Sequence, residues 1–216
     1  MNRNRKEPVV EICCGSYYDA LQAWKGGAKR IELNSALMLG GLTPGTATLK
    51  LIKQNIPDLK VITMVRPRGA GFCYSREEFQ VMEAECQELL EAGADGIAFG
   101  CLTENGNLDI EKNNRLLSLI KEYNKEAVFH RAFDVVSSPF EVMEELIRMG
   151  VDRVLTSGLQ EKAVDGAGLI KQLQERYGEQ ASYRHHYHGK RREDRGGAVS
   201  RRGAEHRQQL YLSCQT

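Results

Sequence analysis

Three times along this chain a glycine, a small apolar residue and a polar residue stand in a row before an aliphatic run. They are Gly27-Ala28-Lys29-Arg30 ahead of Ile31-Glu32-Leu33, Gly93-Ala94-Asp95-Gly96 ahead of Ile97, and Gly150-Val151-Asp152-Arg153 ahead of Val154. A glycine there supplies the left-handed residue that ends a helix. The small residue after it can tuck under a sheet, and the Lys or Asp is expected to face solvent before the next strand begins. Three copies mark an internal repeat of strand and helix, which restricts the fold more than any other feature of the sequence.

The runs Val9–Cys14, Arg30–Asn34, Lys60–Arg66, Gly96–Leu102, Ala127–Phe133 and Arg153–Ser157 read as strands. Each is nearly continuous in apolar residues, as burial on both faces requires, and that implies parallel pairing. Between them lie segments with helical spacing. From Ser75 to Ala92, the residues Phe79, Met82, Cys86, Leu89 and Leu90 share one stripe, and Ser75 with Glu78 forms a capping box. The other helices are expected over Ser16–Lys25, Pro44–Asn55, Asp109–Tyr123, Ser137–Met149 and Lys162–Tyr177.

Six such units fit within about 177 residues, the pitch of an eight-unit barrel of roughly 250 residues. An open doubly wound sheet would carry G-x-G-x-x-G after its first strand, and none is present. The expected fold is therefore α/β, a (β/α)8 barrel of the TIM type, incomplete here with about six βα units.

The pattern stops near residue 181. Residues 181–209 contain one Val and no Leu, Ile, Met or Phe, so a seventh and an eighth unit cannot be drawn. The expected division is a barrel over 1–180 and a basic, disordered tail over 181–216. A change of reading frame, a solvated tail and a nucleic-acid-binding arm are the readings open for it, with His185, His186 and His188 as an adventitious metal site.

A chain of 216 residues with 41% hydrophobic content can bury a substantial core. Its net charge of +1 divides unevenly: residues 1–180 carry 22 Lys and Arg against 26 Asp and Glu, while 181–216 carry 8 against 3. An acidic body argues against nucleic acid as the barrel's partner. No run approaches the roughly 18 apolar residues of a membrane helix, and MNRNRKEP leads into a strand without an apolar signal region. A cytoplasmic protein with no membrane partner is the expectation. The six cysteines are unevenly spaced and include the adjacent pair Cys13 and Cys14, which suits reduced thiols better than a disulfide framework.

Polar residues that interrupt the apolar strands mark the candidate site, because barrel sites gather at the carboxyl ends of strands. Glu11 and Glu32 sit inside strands one and two and need a cation or donor nearby, for which Arg66 or His130 is available. A buried ion-pair layer filling the barrel is the structural alternative. Arg66 and Arg68 end strand three; His130, Arg131 and Asp134 cluster after strand five; Thr156 and Ser157 end strand six. In a catalytic site His130 would be the general acid or base, with Glu32 or Asp134 orienting it. Arg66 and Arg68 would grip an anion, carboxylate or phosphate, with Glu11 and Ser157 completing a ligand-binding set. That describes a lyase, isomerase or hydrolase acting on a small anion.

VEICCGS at 10–16, GGAKRIELNSAL at 26–37, GGLTP at 40–44, MVRPRGAGFCYS at 64–75, FGCLTENGNLD at 99–109, FHRAFD at 129–134 and RVLTSG at 153–158 resemble, in order, the signature segments of the CutC family. The resemblance covers roughly residues 8–180. It implies a (β/α)8 barrel, a cytoplasmic protein often found as a homodimer, and a role in copper homeostasis or copper binding. The family's Gly-rich segment after strand seven has no counterpart here. Cu(I) prefers thiolate and thioether, and Cys13, Cys14, Cys101 and Met64 lie near adjoining strand ends, so Cys13 with Cys101 is the candidate copper site. Cys13 and Cys14 point to opposite faces of their strand, so at most one enters the barrel. Some relatives carry Cys where this chain has Asn34. A truncated chain without function is the third reading.

Overall fold

The computed structural model describes residues 9–178 together with Ser182–Tyr183 and His186–Tyr187. Six strands alternate with six helices: β1 Glu11–Cys14, α1 Tyr17–Lys25, β2 Arg30–Leu33, α2 Thr46–Asn55, β3 Lys60–Met64, α3 Arg76–Glu91, β4 Gly96–Phe99, α4 Ile110–Glu122, β5 Glu126–Phe129, α5 Pro139–Met149, β6 Arg153–Val154 and α6 Ala167–Tyr177. All pairings are parallel, and the ladder runs β6-β5-β4-β3-β2-β1. Two short strands extend it, β7 (Ser182–Tyr183) beside β6 and β8 (His186–Tyr187) beside β1.

Those last strands differ from the sequence expectation. The composition after residue 181 rules out a buried apolar strand, yet a two-residue strand needs only backbone groups to pair. The rest of the segment expected to be a disordered tail, with His185 and His188 of the metal alternative, lies outside the described residues.

The expected strands are longer than those observed; β1 is shorter at its amino end, and in the other five the difference falls at the carboxyl ends. The run expected as a strand through Phe133 leaves the sheet after Phe129 and tightens into a 3-10 turn, Arg131–Val135. A second 3-10 turn, Leu37–Leu39, lies between β2 and α2. Both turns carry side chains into the site described below.

Strand alternation sorts side chains into inward and outward sets. The outward set packs on the helices in one cluster that runs from Cys14 through Ile31, Leu33, Val61, Ile97, Phe99 and Phe129 to Tyr177. The inward set forms layers. The lowest is ionic and made from the first residues of four strands: Glu11 meets Arg30 at 2.5 Å and Arg153 at 2.9 Å, and Arg153 meets Glu126 at 2.7 Å. Burial works against the charge on Arg153, but Glu11 and Glu126 outweigh it and hold its pKa above the ordinary value. Above lies an apolar layer of Ile62, Met64, Ala98, Val128 and Leu155. The top layer is polar again. Glu11 and Arg153 belong to strands five places apart in the ladder, so their contact shows how far the sheet curls.

The repeated junction performs more than solvation. Gly27, Gly93 and Gly150 hold φ of 94°, 96° and 88°, the left-handed ends expected of them. Asp95 and Asp152, expected to face solvent, instead clasp the neighbouring strand. Asp95 accepts from the Val61 amide at 2.8 Å and from Lys53 at 2.7 Å; Asp152 accepts from the Ala127 amide at 2.7 Å and from Lys121 at 2.6 Å. Each clasp pairs a strand amide with a lysine from the preceding helix. The capping box at Ser75 and Glu78 is present as expected.

Candidate functional site

A cavity of about 450 Å³ opens at the carboxyl ends of the strands. Its floor is the top inward layer: Cys13 from β1, Glu32 and Asn34 from β2, Arg66 after β3 and His130 after β5. Each lies two residues beyond an inward position lower in the same strand, which is why the sheet delivers them together.

His130 caps the 3-10 turn that follows β5. Its Nδ1 accepts from the Ala132 amide at 3.2 Å, so the ring proton of the neutral imidazole resides on Nε2. That nitrogen is buried and has no partner among the described residues, and the side chain is 1% exposed. A Cβ at Gly100 would stand 2.7 Å from the imidazole, so glycine is what lets the ring lie against this backbone. Burial first, and the charge on Arg66 second, push the His130 pKa down to about 3, against an opposing pull from Glu32. The sequence expectation of an acid or base titrating near neutrality is therefore revised: His130 is a neutral, oriented N–H donor.

Arg66 is buried beside it. One terminal nitrogen donates to the carbonyls of Leu39, Gly40 and Gly41, each at 3.2 Å, and the buried guanidinium also interacts with the Tyr74 hydroxyl. Phe72 packs against both Arg66 and His130, its ring 4.9 Å from the guanidinium and 5.0 Å from the imidazole ring. Across the floor, Asn34 donates to Glu32 at 2.9 Å and to the Cys13 sulfur at 3.2 Å, and the Cys13 thiol points to Glu32 at 3.7 Å. Burial and then the Glu32 charge raise the Cys13 pKa well above the ordinary thiol value.

Asp134 also lines the cavity, but its carboxylate is saturated. It accepts from Arg131 at 2.7 Å, the Thr156 hydroxyl at 2.6 Å, the Ser157 amide and hydroxyl, and the Leu159 amide. It fixes the loop after β6, and the hydroxyl of Ser157 is spent in the same network.

The structure thus gathers five expected residues, Cys13, Glu32, Arg66, His130 and Asp134, and separates others. Glu11 lies in the ionic layer at the opposite end of the strands, where its partners are Arg30 and Arg153 rather than Arg66 or His130. Arg68 turns away to Glu78 and the Cys73 carbonyl. Cys101 is buried in the helix-side cluster, its backbone bracketed by Asn113, and does not reach the cavity that Cys13 lines. Cys13 and Cys14 do take opposite faces, Cys14 joining the outer core with a thiol pKa pushed up to about 12 by burial. Sequence reasoning missed Leu37, Leu39, Val135 and Leu159 as cavity wall. Asn34 was reachable, two residues beyond Glu32; the loop residues carried no periodic signal.

A parallel β/α barrel with a polar cavity at the carboxyl ends of its strands is the class this fold and site define. Within that class the chain belongs to the CutC family, whose model matches residues 8–183. It is 47% identical to a family protein CutC of Treponema denticola, over 79% of this chain and 68% of the relative. It is 44% identical to the mouse copper homeostasis protein cutC homolog, over 76% of this chain and 60% of the relative, so it spans less than two thirds of that protein. The crystal structure of CutC from Streptococcus agalactiae superposes with a TM-score of 0.77 at 29% identity, covering 82% of this chain and 87% of that one. Among the described residues no helix is long and apolar enough to cross a membrane.

Proposed function

We propose that the cavity binds a small anionic metabolite, with Arg66 and His130 as its anion-facing donors. The observation that carries this reading is the buried N–H of His130 Nε2, which has no partner among the described residues, on a side chain that lines one cavity with the buried guanidinium of Arg66. A buried donor without a partner is costly, and a ligand oxygen removes the cost. Glu32 and Asn34 share the buried floor with these donors, and an oriented neutral imidazole beside them can polarise a carbonyl or donate to a developing oxyanion. Enzymatic turnover of the lyase, isomerase or hydrolase type is the extension of this binding.

The test is a titration of the reduced chain with small carboxylates and with inorganic phosphate, followed by thermal shift. Saturable stabilisation that Arg66→Ala and His130→Ala each weaken at least tenfold supports the reading. Stabilisation indifferent to both substitutions overturns it.

A role in copper homeostasis is the second reading, favoured by the names of the mouse and human relatives. Cys13 and Met64 are soft donors lining the same cavity. The donor set fits Cu(I) poorly, since no group of three or more His, Cys, Asp or Glu suited to a metal occurs among the described residues, and the Cys13 thiol is held protonated. Cys13→Ser abolishing Cu(I) stabilisation while sparing anion binding would favour copper. The five free cysteines of the described residues suit a reducing, cytoplasmic setting.

A further inference from the structure

The cavity is polar where it is deep, and where it meets solvent one side of its mouth is apolar while Arg131, Gln160 and Glu161 line the other. Glu32, Asn34, Arg66 and His130 form the buried floor, whereas Leu37, Leu39 and Val135 line the mouth at 38%, 59% and 59% exposure. An aqueous metabolite that carries only polar groups has no use for such a rim, and clustered exposed aliphatics at a cavity mouth mark a surface that something apolar covers. The rim is also fixed in place. The Leu37–Leu39 turn is bracketed by left-handed Ala36 and Gly40, its base is closed by the bridge between Ser35 and Leu42, and Arg66 holds the carbonyls of Leu39, Gly40 and Gly41. The same arginine therefore serves the floor and anchors the lip above it.

We infer that the ligand is an amphipathic carboxylate, with its charged head on Arg66 and His130 and an aliphatic or aryl chain leaving along Leu37, Leu39 and Val135. This inference rests on the anion-binding reading above and adds the ligand's chemical class to it. A single negative charge suits the floor: Arg131, the other guanidinium of the lining, is paired with Asp134, Arg66 is joined by a neutral imidazole, and the Glu32 carboxylate on the same floor opposes a dianionic phosphate. A chain of several carbons emerging from the head meets the rim side chains in place of water. Each methylene so covered is worth about 0.8 kcal/mol, or about fourfold in affinity.

The experiment compares straight-chain carboxylates from acetate to octanoate, with neutral octanamide as the control, binding to the full reduced chain by ligand-observed NMR. Affinity is expected to rise about fourfold per carbon over the first few carbons, with octanamide at least tenfold weaker than octanoate. The double substitution Leu39→Ser with Val135→Ser should flatten that slope, and His130→Ala, which leaves the Arg66 anchor of the lip in place, should weaken every chain length alike. Acetate and octanoate binding equally would overturn the amphipathic class while leaving the anion site standing; no binding by any carboxylate would remove the anion site itself. Octanoate and octanamide binding equally would reduce the rim to an unspecific apolar surface. A flat slope together with a sedimenting dimer that the Leu39→Ser, Val135→Ser chain converts to monomer would show that a second copy covers the rim, and would overturn the inference.

Discussion

At the scale of single residues, His130 shows how position in the fold sets chemistry. In an unfolded chain its imidazole has the ordinary pKa of 6.5; in the folded barrel burial and Arg66 hold it neutral down to about 3. The unfolded chain therefore takes up a proton that the folded chain refuses. The resulting stability is complete above about pH 6.5 and is lost as the pH falls toward 3. Chemical unfolding at pH 7 and pH 5 should differ by about 2 kcal/mol from this residue, and His130→Gln should remove that part of the slope. An unchanged slope in the variant would place the imidazole in water. Glu11 makes the converse point. Buried between Arg30 and Arg153, it compensates two guanidinium groups, so Glu11→Ala should lower the unfolding free energy by about 3–5 kcal/mol, read from the urea midpoint.

At the scale of elements, the Asp clasps set strand register. Asp95 and Asp152 occupy equivalent places before β4 and β6, and each binds an amide of the preceding strand and the lysine of the helix leading into that strand. Removing either carboxylate leaves a strand amide short of its acceptor, so Asp95→Ala and Asp152→Ala should each cost about 1–3 kcal/mol by equilibrium unfolding. Lys121→Ala should cost less, because that partner is substantially exposed. A lysine effect equal to the aspartate effect would mean that the ion pair, and not the strand amide, carries the clasp.

At the scale of the whole molecule, one contiguous core runs from Cys14 on β1 to Tyr177 on α6, and the ionic layer ties β1 to β6. Six units that share one core should unfold as one. Thermal melts followed by circular dichroism and by fluorescence of Trp24 on α1 should therefore coincide; separated transitions would show that the first units unfold apart from the rest.

The order of strands and helices, their parallel pairing, the left-handed glycine ends, the capping box at Ser75 and the presence of Glu32, Arg66 and His130 at strand ends were all legible in the sequence. Each depends on spacing along the chain: 3.6 for a helix, 2 for a strand, and a repeat of about 30 for the unit. Tertiary structure decided the rest because it depends on which strands curl to face each other. The sequence paired Glu11 with the wrong cations, since only the curled sheet brings Arg153 of β6 against β1. It grouped Cys101 with Cys13, although the turn after β4 carries Cys101 outward to the helix layer. Leu37, Leu39 and Val135 of the cavity wall came from two 3-10 turns with no apolar period, and the neutral state of His130 came from burial, which no local pattern encodes.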